Sequence, residues 1–189
     1  MQLNFVNHIR RFVDLSDDEV LLLNKSIKSY NLRKKENILT EGEVCKSVYF
    51  VEKGCLRMFF INNKTVEQIT QFALDGWWIS DYGSFMDNKP SEYHIQAIEK
   101  SEIIGIDALM FVKLLKEIPQ LEKYFRIIMQ KAVAASQHLA KLKYQMSKEE
   151  FYQHFVIAFP EFNQRVPQYM IASYLGLTPE YVSELRKKR

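Results

Sequence analysis

The sequence predicts an α+β protein: an amino-terminal antiparallel β-roll (a double-stranded β-helix), a long central helix and a carboxy-terminal helix-turn-helix. Three observations lead to this prediction. The segment from Tyr30 to Asp107 consists of short β-rich runs and carries five of the six glycines, as expected for short strands separated by turns. The next segment has helical periodicity over nearly four heptads. The last 24 residues have the pattern of two short helices joined by a glycine. We place the segment boundaries at 1–118, 119–146 and 147–189.

The composition is that of an ordinary globular protein, with 47% hydrophobic and 26% charged residues. The amino terminus lacks the apolar region of a signal peptide, and no run approaches the roughly 18 apolar residues of a membrane span. We therefore expect a cytoplasmic protein without a membrane partner. Cys45 and Cys55 are too few for a disulfide framework.

The net charge of +3 lies in the last 25 residues, which hold five Lys/Arg against two Asp/Glu. Such an asymmetry favours a polyanionic partner, nucleic acid first. Cations also suit the carboxy terminus of a helix, so the charge by itself leaves both interpretations open.

Two helices are predicted before the β region, at Gln2–Phe12 and Ser16–Ser29. The second begins with a capping box, Ser16-x-x-Glu19. In the β region, SVYFVEKGCLRMFFI contains two strand-like runs joined at Glu52-Lys53-Gly54, which predicts a hairpin. VEQITQFAL and the runs on either side of Glu99-Lys100 also alternate. Several short strands at this spacing favour a β-sandwich or roll.

A long helix is predicted from Pro119 to about Met146, after a shorter helix over DALMFVKLLKEI. Its apolar residues recur at alternating spacings of four and three, which favours a coiled-coil partner, most simply the same helix of a second subunit. Small residues in the middle would let two backbones approach closely. The same stripe could instead pack on the chain's own β-roll. The predicted dimer-interface residues are Leu121, Phe125, Ile128, Ala132, Ala135, Leu139 and Leu142.

The carboxy-terminal segment matches a helix-turn-helix at all seven constrained positions. Counting from Gln168, the small Ala172 is fifth and Gly176 is ninth, where the turn needs a positive φ. Thr178 is a natural N-cap and Pro179 fits the first helical position. A preceding helix over 147–159 opens with a second capping box. An ordinary helical hairpin used for packing is the alternative.

A helix-turn-helix would place its second helix, from Pro179 to about Lys188, in the major groove of DNA. Glu180 can accept a hydrogen bond from a cytosine amino group, and the basic end would contact phosphates. A dimer would bind a pseudo-palindromic duplex with half-sites about one helical turn apart. The predicted DNA-binding residues are Thr178, Pro179, Glu180, Ser183, Glu184, Arg186, Lys187, Lys188 and Arg189.

The order of elements, together with TEGEVCKSVYFVEKGCLRMFF and QRVPQYMIASYLGLTPEYVSELRKK, resembles the Crp/Fnr family of bacterial transcription regulators over essentially the whole chain. The resemblance implies a homodimer in which a cyclic-nucleotide-binding-type sensor is coupled through the long helix to DNA-reading domains. RNA polymerase is a further candidate partner. In the family, the position of Glu180 commonly reads a base, whereas that of Glu184 is commonly arginine, so the operator sequence does not carry over. The wing hairpin expected before the motif is reduced to FPEFNQRV.

The resemblance also bears on the effector, through residues 76–97. Family members that bind cyclic nucleotides carry a Gly-Glu pair and an arginine here, whereas an ungapped alignment places Ser80, Asp81 and Ser91 at those positions. Without the arginine the phosphate loses its bidentate partner, so binding of cyclic AMP is not expected and no cofactor is predicted. The aromatic residues of this segment form either a pocket for another effector of unknown identity or simply core. The candidate effector-pocket residues are Trp78, Ser80, Asp81, Tyr82, Ser91 and Tyr93.

The sequence carries no pattern typical of an enzyme or a metal site. The four histidines are scattered, and two cysteines cannot supply the four ligands of an iron–sulfur cluster. We therefore predict a DNA-binding transcription regulator that is not an enzyme. The alternative is a small-molecule-binding β-roll whose carboxy-terminal helices mediate protein contacts. A steep fall of DNA affinity with salt would favour the first, and an effector-dependent melting shift without DNA binding would favour the second.

Overall fold

The computed structural model describes residues 3–187. It divides into two compact units. The first runs up to Phe60 and from Thr70 to Ile128, and the second takes Ile61–Ile69 and the chain from Met129 onward. The division lies inside the long helix, and not at the segment boundary drawn between residues 118 and 119.

Helices and strands follow the order expected from the sequence, apart from two short helices that were not predicted, Tyr82–Asp87 (α3) and Pro160–Arg165 (α7). In full, the helices and strands are α1 (Leu3–Arg10), α2 (Asp17–Ser26), β1 (Lys28–Leu32), β2 (Asn37–Leu39), β3 (Ser47–Lys53), β4 (Leu56–Ile61), β5 (Glu67–Ala73), β6 (Trp78–Ile79), α3 (Tyr82–Asp87), β7 (His94–Ala97), β8 (Ser101–Asp107), α4 (Ala108–Glu117), α5 (Gln120–Gln145), α6 (Lys148–Ala158), α7 (Pro160–Arg165), α8 (Gln168–Leu175) and α9 (Pro179–Lys187). The predicted α+β class is confirmed.

The strands form two four-stranded sheets with the orders β1-β8-β3-β6 and β2-β7-β4-β5. The strand pairings are antiparallel, for example β3 with β8, where Tyr49 lies opposite Gly105, and β4 with β7, where Met58 lies opposite Ile95. A buried cluster draws apolar side chains from both sheets, including Val51, Leu56 and Ile79. This is the predicted β-roll.

The predicted hairpin at Glu52-Lys53-Gly54 is wrong. β3 lies inside one sheet, between β8 and β6, and β4 lies in the other sheet. Both edges of β3 are therefore occupied, so β4 has no edge to pair with. The chain changes sheet at Gly54, whose φ of 120° is a conformation that L side chains rarely adopt.

The helices of the first unit share one aromatic-rich core with the roll. Phe5 and Ile9 of α1, Leu114 of α4 and Tyr124 of α5 are almost completely buried together. The predicted capping box of α2 is confirmed, with Ser16 and Glu19 each bonding the other's backbone. The carboxylate of Glu52 accepts hydrogen bonds from the first amides of α1, which anchors that helix on β3.

Among the described residues beyond α5, the second unit consists of helices joined by short connections. The predicted capping box of α6, between Ser147 and Glu150, is confirmed. The segment FPEFNQRV contains a short helix, α7, with Pro160 in its first turn, so no wing hairpin occurs there. None of the helices between residues 3 and 187 is both long and apolar enough to cross a bilayer.

Candidate nucleic-acid interface and effector region

The helix-turn-helix predicted from the sequence is formed by α8 and α9. Gly176 ends α8 in the left-handed conformation, with φ 70° and ψ 30°. Among the described residues, no atom lies within 4 Å of the position that a Cβ would take there, so the backbone conformation is what favours glycine. The hydroxyl of Thr178 accepts the backbone N–H of Tyr181 at 3.2 Å, which is the expected N-cap. The apolar face of the motif is buried and consists of Ile171, Ala172, Leu175, Val182 and Leu185.

The outward face of α9 carries most of the predicted DNA-binding side chains. Glu180, Ser183, Glu184 and Lys187 are exposed and lie opposite the buried Val182 and Leu185 around the helix. Thr178, Pro179 and Arg186 are exposed as well. The structure therefore brings these residues to one surface, whereas Lys188 and Arg189 lie outside the described residues.

Gln168 and Tyr169 of α8 also lie near this surface and were not among the predicted DNA contacts. Arg186 donates from Nη1 to the side-chain oxygen of Gln168 at 3.4 Å, which ties the end of α9 to the start of α8. Tyr169, the next residue of α8, is 51% exposed. Gln168 marks the start of the motif in the sequence, but its contact with Arg186 depends on how the two helices cross.

The predicted dimer stripe on α5 divides into two parts. Leu121 is completely buried in the core of the first unit, so its assignment to the dimer interface is wrong. Phe125 and Ile128 pack partly against that same core. Further along, Ala132 and Ala135 are exposed and Leu139 is half-buried. Leu142 is buried within the chain, so its assignment to the dimer interface is wrong as well. The stripe is thus shared between the chain's own core and an open surface in the middle of the helix.

The candidate effector residues are joined by hydrogen bonds among themselves. The carboxylate of Asp81 accepts the hydroxyl of Ser91 at 2.7 Å and caps α3 by accepting the amide of Ser84 at 3.1 Å. Ser80 donates to the carbonyl of Ser47 at 3.1 Å. Ser91 also accepts the amide of Tyr93 at 3.0 Å. Each of these polar groups therefore has a partner inside the chain.

The buried thiol of Cys45 extends this network. It lies 3.3 Å from both the hydroxyl of Ser80 and the carbonyl of Ser47. Burial raises the pKa of the Cys45 thiol above its usual value, so the thiol form predominates and its reactivity is low.

Trp78 belongs to the core and is 7% exposed. Its Nε1–H donates to the hydroxyl of Tyr124 at 2.8 Å, and Nδ1 of His8 lies 2.8 Å from the same hydroxyl. The contact joins β6, α5 and α1, and no sequence pattern indicated it.

By contrast, the hydroxyl of Tyr82 is buried without a hydrogen-bond partner among the described residues, and burial raises the pKa of Tyr82 to about 12.

Comparison with known proteins agrees with this architecture. Residues 30–117 match the cyclic nucleotide-binding domain. The regulatory protein HlyX of Actinobacillus pleuropneumoniae is 27% identical over 183 residues, which cover 90% of this chain and 75% of that protein. The chain thus resembles the Crp/Fnr family over most of its length. Another relative, the transcriptional activator protein Anr of Pseudomonas aeruginosa, is 26% identical over 165 residues, covering 82% of this chain and 67% of that protein.

Solved structures share the fold of the chain. FixK2 from Bradyrhizobium japonicum matches with a TM-score of 0.70 at 20% identity, over 86% of this chain and 83% of that one. The c-di-GMP responsive global regulator CLP of Xanthomonas campestris matches with a TM-score of 0.75 at 12% identity, over 92% and 91%. At these identities the likeness concerns the fold.

Proposed function

We propose that this protein is a homodimeric, DNA-binding regulator of transcription of the Crp/Fnr type. The observation that carries the proposal is the helix-turn-helix: a left-handed Gly176 between α8 and α9, an N-cap at Thr178 and an exposed outward face on α9. The named relatives are regulatory proteins and transcriptional activators, which supports the same function. RNA polymerase is proposed as a protein partner on the family resemblance.

Base recognition is assigned to the outward face of α9. Glu180 is exposed at the start of the helix, where helix-turn-helix proteins contact base edges, and its carboxylate can accept from a cytosine amino group. Ser183 adds a short polar group on the same face. Arg186 and Lys187 lie in the last turn and would contact phosphates, which position the helix without reading sequence.

The dimer proposal rests on the middle of α5. Residues 130–138 are exposed all around the helix. Helices in proteins are stabilised mainly by the packing of one face, so we expect this exposed stretch to pack against a partner. The small Ala132 and Ala135 continue the spacing of four and three, so a second copy of α5 could approach closely along this line. Two copies would place two α9 helices on a two-fold symmetric site.

The effector region supports a sensor that does not bind cyclic AMP in the usual way. Ser91 stands where the phosphate-binding arginine is expected, and it donates to Asp81 instead. The carboxylate of Asp81 is thus held at the start of α3, where a phosphate would meet its negative charge. Titration calorimetry with cyclic AMP should show no binding, and a saturable signal would contradict this part of the proposal.

The central experiment selects binding sites from a random duplex library with the purified chain at two salt concentrations. We expect a two-fold symmetric site whose affinity falls steeply with salt. Glu180→Gln should change the preferred base at one position in each half-site, by about 1–3 kcal/mol of discrimination. Glu161→Gln, an exposed glutamate of α7, is the matched control and should leave the consensus unchanged.

A separate measurement tests the dimer. Ala135→Glu places a charge on the proposed seam, whereas Ala140→Glu places it on the opposite side of α5. Sedimentation velocity should show dissociation of the first variant and not of the second. Equal behaviour of the two would refute the seam, and failure of the wild-type chain to bind any duplex would refute the DNA-binding proposal.

A further inference from the structure

One edge of the β-roll meets the helix-turn-helix inside the second unit. β5 is the last strand of its sheet, and an edge strand presents backbone N–H and C=O groups that no neighbouring strand can bond. Residues 61–69, which include the start of β5, belong to the second unit together with α8. Side chains of this unit provide the missing partners.

The hydroxyl of Ser173 on α8 bonds two backbone groups of this edge. It accepts the N–H of Ile69 at 3.1 Å and donates to the carbonyl of Glu67 at 3.0 Å. These are the two bonds that a neighbouring strand would make on either side of Gln68. A serine inside a helix commonly bonds the carbonyl four residues earlier, but this one bonds the strand edge instead.

A third hydrogen bond comes from the side chain of Gln68. Nε2 of Gln68 donates to the backbone carbonyl of Ser173 at 3.1 Å. The same carbonyl accepts the N–H of Gly176 at 3.1 Å, so Gln68 attaches where the turn of the helix-turn-helix begins. Contacts at the turn act on α8 and α9 together, because both helices are joined there.

These contacts leave the outward face of α9 open. Ser173 lies on the side of α8 away from Ile171 and Leu175, which are buried, and neither Gln68 nor Ile69 contacts the exposed Glu180 or Ser183 through any bond described above. The exposed face of α9 and the latched side of α8 are therefore different surfaces of the motif.

We propose that Ser173 and Gln68 form a latch that orients the helix-turn-helix on the edge of β5, and that binding to a two-half-site operator depends on this orientation. The DNA part rests on the proposed function. β5 continues beyond Ile69 into the first unit as Thr70–Ala73.

Amide exchange tests the latch without DNA. In the full-length chain, Ser173→Ala should speed exchange of the Ile69 amide about tenfold or more, because that N–H then faces solvent or an apolar methyl. Ser173→Thr keeps a hydroxyl and should retain most of the protection. Ser136→Ala, an exposed serine of α5, is the control and should change nothing. Unchanged exchange at Ile69 in Ser173→Ala would overturn the latch.

DNA binding tests whether the latch orients the helix-turn-helix. Affinity is measured for two duplexes, the symmetric site obtained by selection and a duplex that holds a single half-site. Ser173→Ala and Gln68→Ala should each weaken binding to the symmetric site about tenfold and leave binding to the single half-site within twofold. Changing the spacing between the two half-sites by one base pair should reduce the DNA affinity of these two variants less than that of the wild-type chain. An equal loss on both duplexes, or no loss on either, would overturn the orienting role.

Failure of the proposed DNA-binding function and failure of the latch give different results. A wild-type chain that binds no duplex refutes the proposed function, and with it the orienting role, whereas the exchange of the Ile69 amide still decides whether the contact exists. Alanine favours helix more than serine does, so Ser173→Ala should fold. Gln68→Ala provides a second variant that leaves α8 unchanged.

Discussion

Replacing Tyr124 by phenylalanine tests the hydrogen-bonded contact that joins α1, β6 and α5. The hydroxyl of Tyr124 accepts from Trp78 at 2.8 Å and lies 2.8 Å from Nδ1 of His8. Since the indole can only donate, its N–H loses its partner in the variant, and an unsatisfied buried donor costs about 1–3 kcal/mol. His8 is half-buried and can turn to water at a smaller cost.

We expect Tyr124→Phe to lower the free energy of unfolding by about 2 kcal/mol. For a chain of this size the corresponding fall in Tm is about 4–8 °C. Tyr82→Phe is the matched control, because its hydroxyl is also buried but has no hydrogen-bond partner among the described residues. Removing that hydroxyl should leave stability unchanged or raise it by up to about 1 kcal/mol.

Urea unfolding followed by circular dichroism, at one protein concentration for all variants, measures both changes. Equal losses in Tyr124→Phe and Tyr82→Phe would refute the reasoning, because they would show that the indole contact contributes nothing specific. In a double-mutant cycle with Trp78→Phe, the penalty of Tyr124→Phe should shrink, since the donor is then absent.

Three further predictions concern titration and helix capping. Burial raises the pKa of Tyr49 and Tyr124, and that of Tyr82 to about 12. These phenols therefore stabilise the fold fully below about pH 10, and this contribution should fall as the pH rises from there. Phenolate absorbance from them should appear together with loss of circular dichroism; its appearance in the folded chain would contradict the burial. Thr178→Ala should destabilise the start of α9 by about 1 kcal/mol, measured as faster amide exchange in its first turn, whereas Thr178→Ser should not. Glu52→Gln should lower the urea midpoint by an amount equivalent to about 1 kcal/mol, because the carboxylate bonds two amides of α1; an unchanged midpoint would count against that anchor.

The helix-turn-helix could be predicted closely because its determinants are local. A turn that needs a positive φ, an N-cap and a small residue at the helix crossing all lie within Gln168–Leu185, and each specifies its own neighbourhood. The capping boxes at Ser16 and Ser147 were found for the same reason. Such signals survive in a single sequence because the interacting residues are three or four positions apart.

Strand pairing could not be predicted in this way. The two runs on either side of Gly54 look like a hairpin, yet they lie in different sheets because β3 is already paired on both edges. The edge positions of a sheet depend on strands far away in the sequence. The heptad stripe of α5 has the same limitation, since its spacing did not reveal that Leu121 packs into the chain's own core.

The effector region shows the same division at the level of side chains. Alignment to the family placed Ser91 and Asp81 at the positions of ligand-binding residues, but it could not show that the two bond each other at 2.7 Å. Nor could it show that the hydroxyl of Tyr124 joins Trp78 to His8, which are 70 positions apart in the chain.

The sequence by itself determined the order of the main elements, the capping boxes and the two helices of the helix-turn-helix, because those features are properties of single positions and near neighbours. The tertiary structure decided which polar groups satisfy one another, which half of α5 stays open and which strand edge Ser173 bonds. These depend on residues brought together from distant parts of the chain, where each donor takes the acceptor that packing places within about 3 Å.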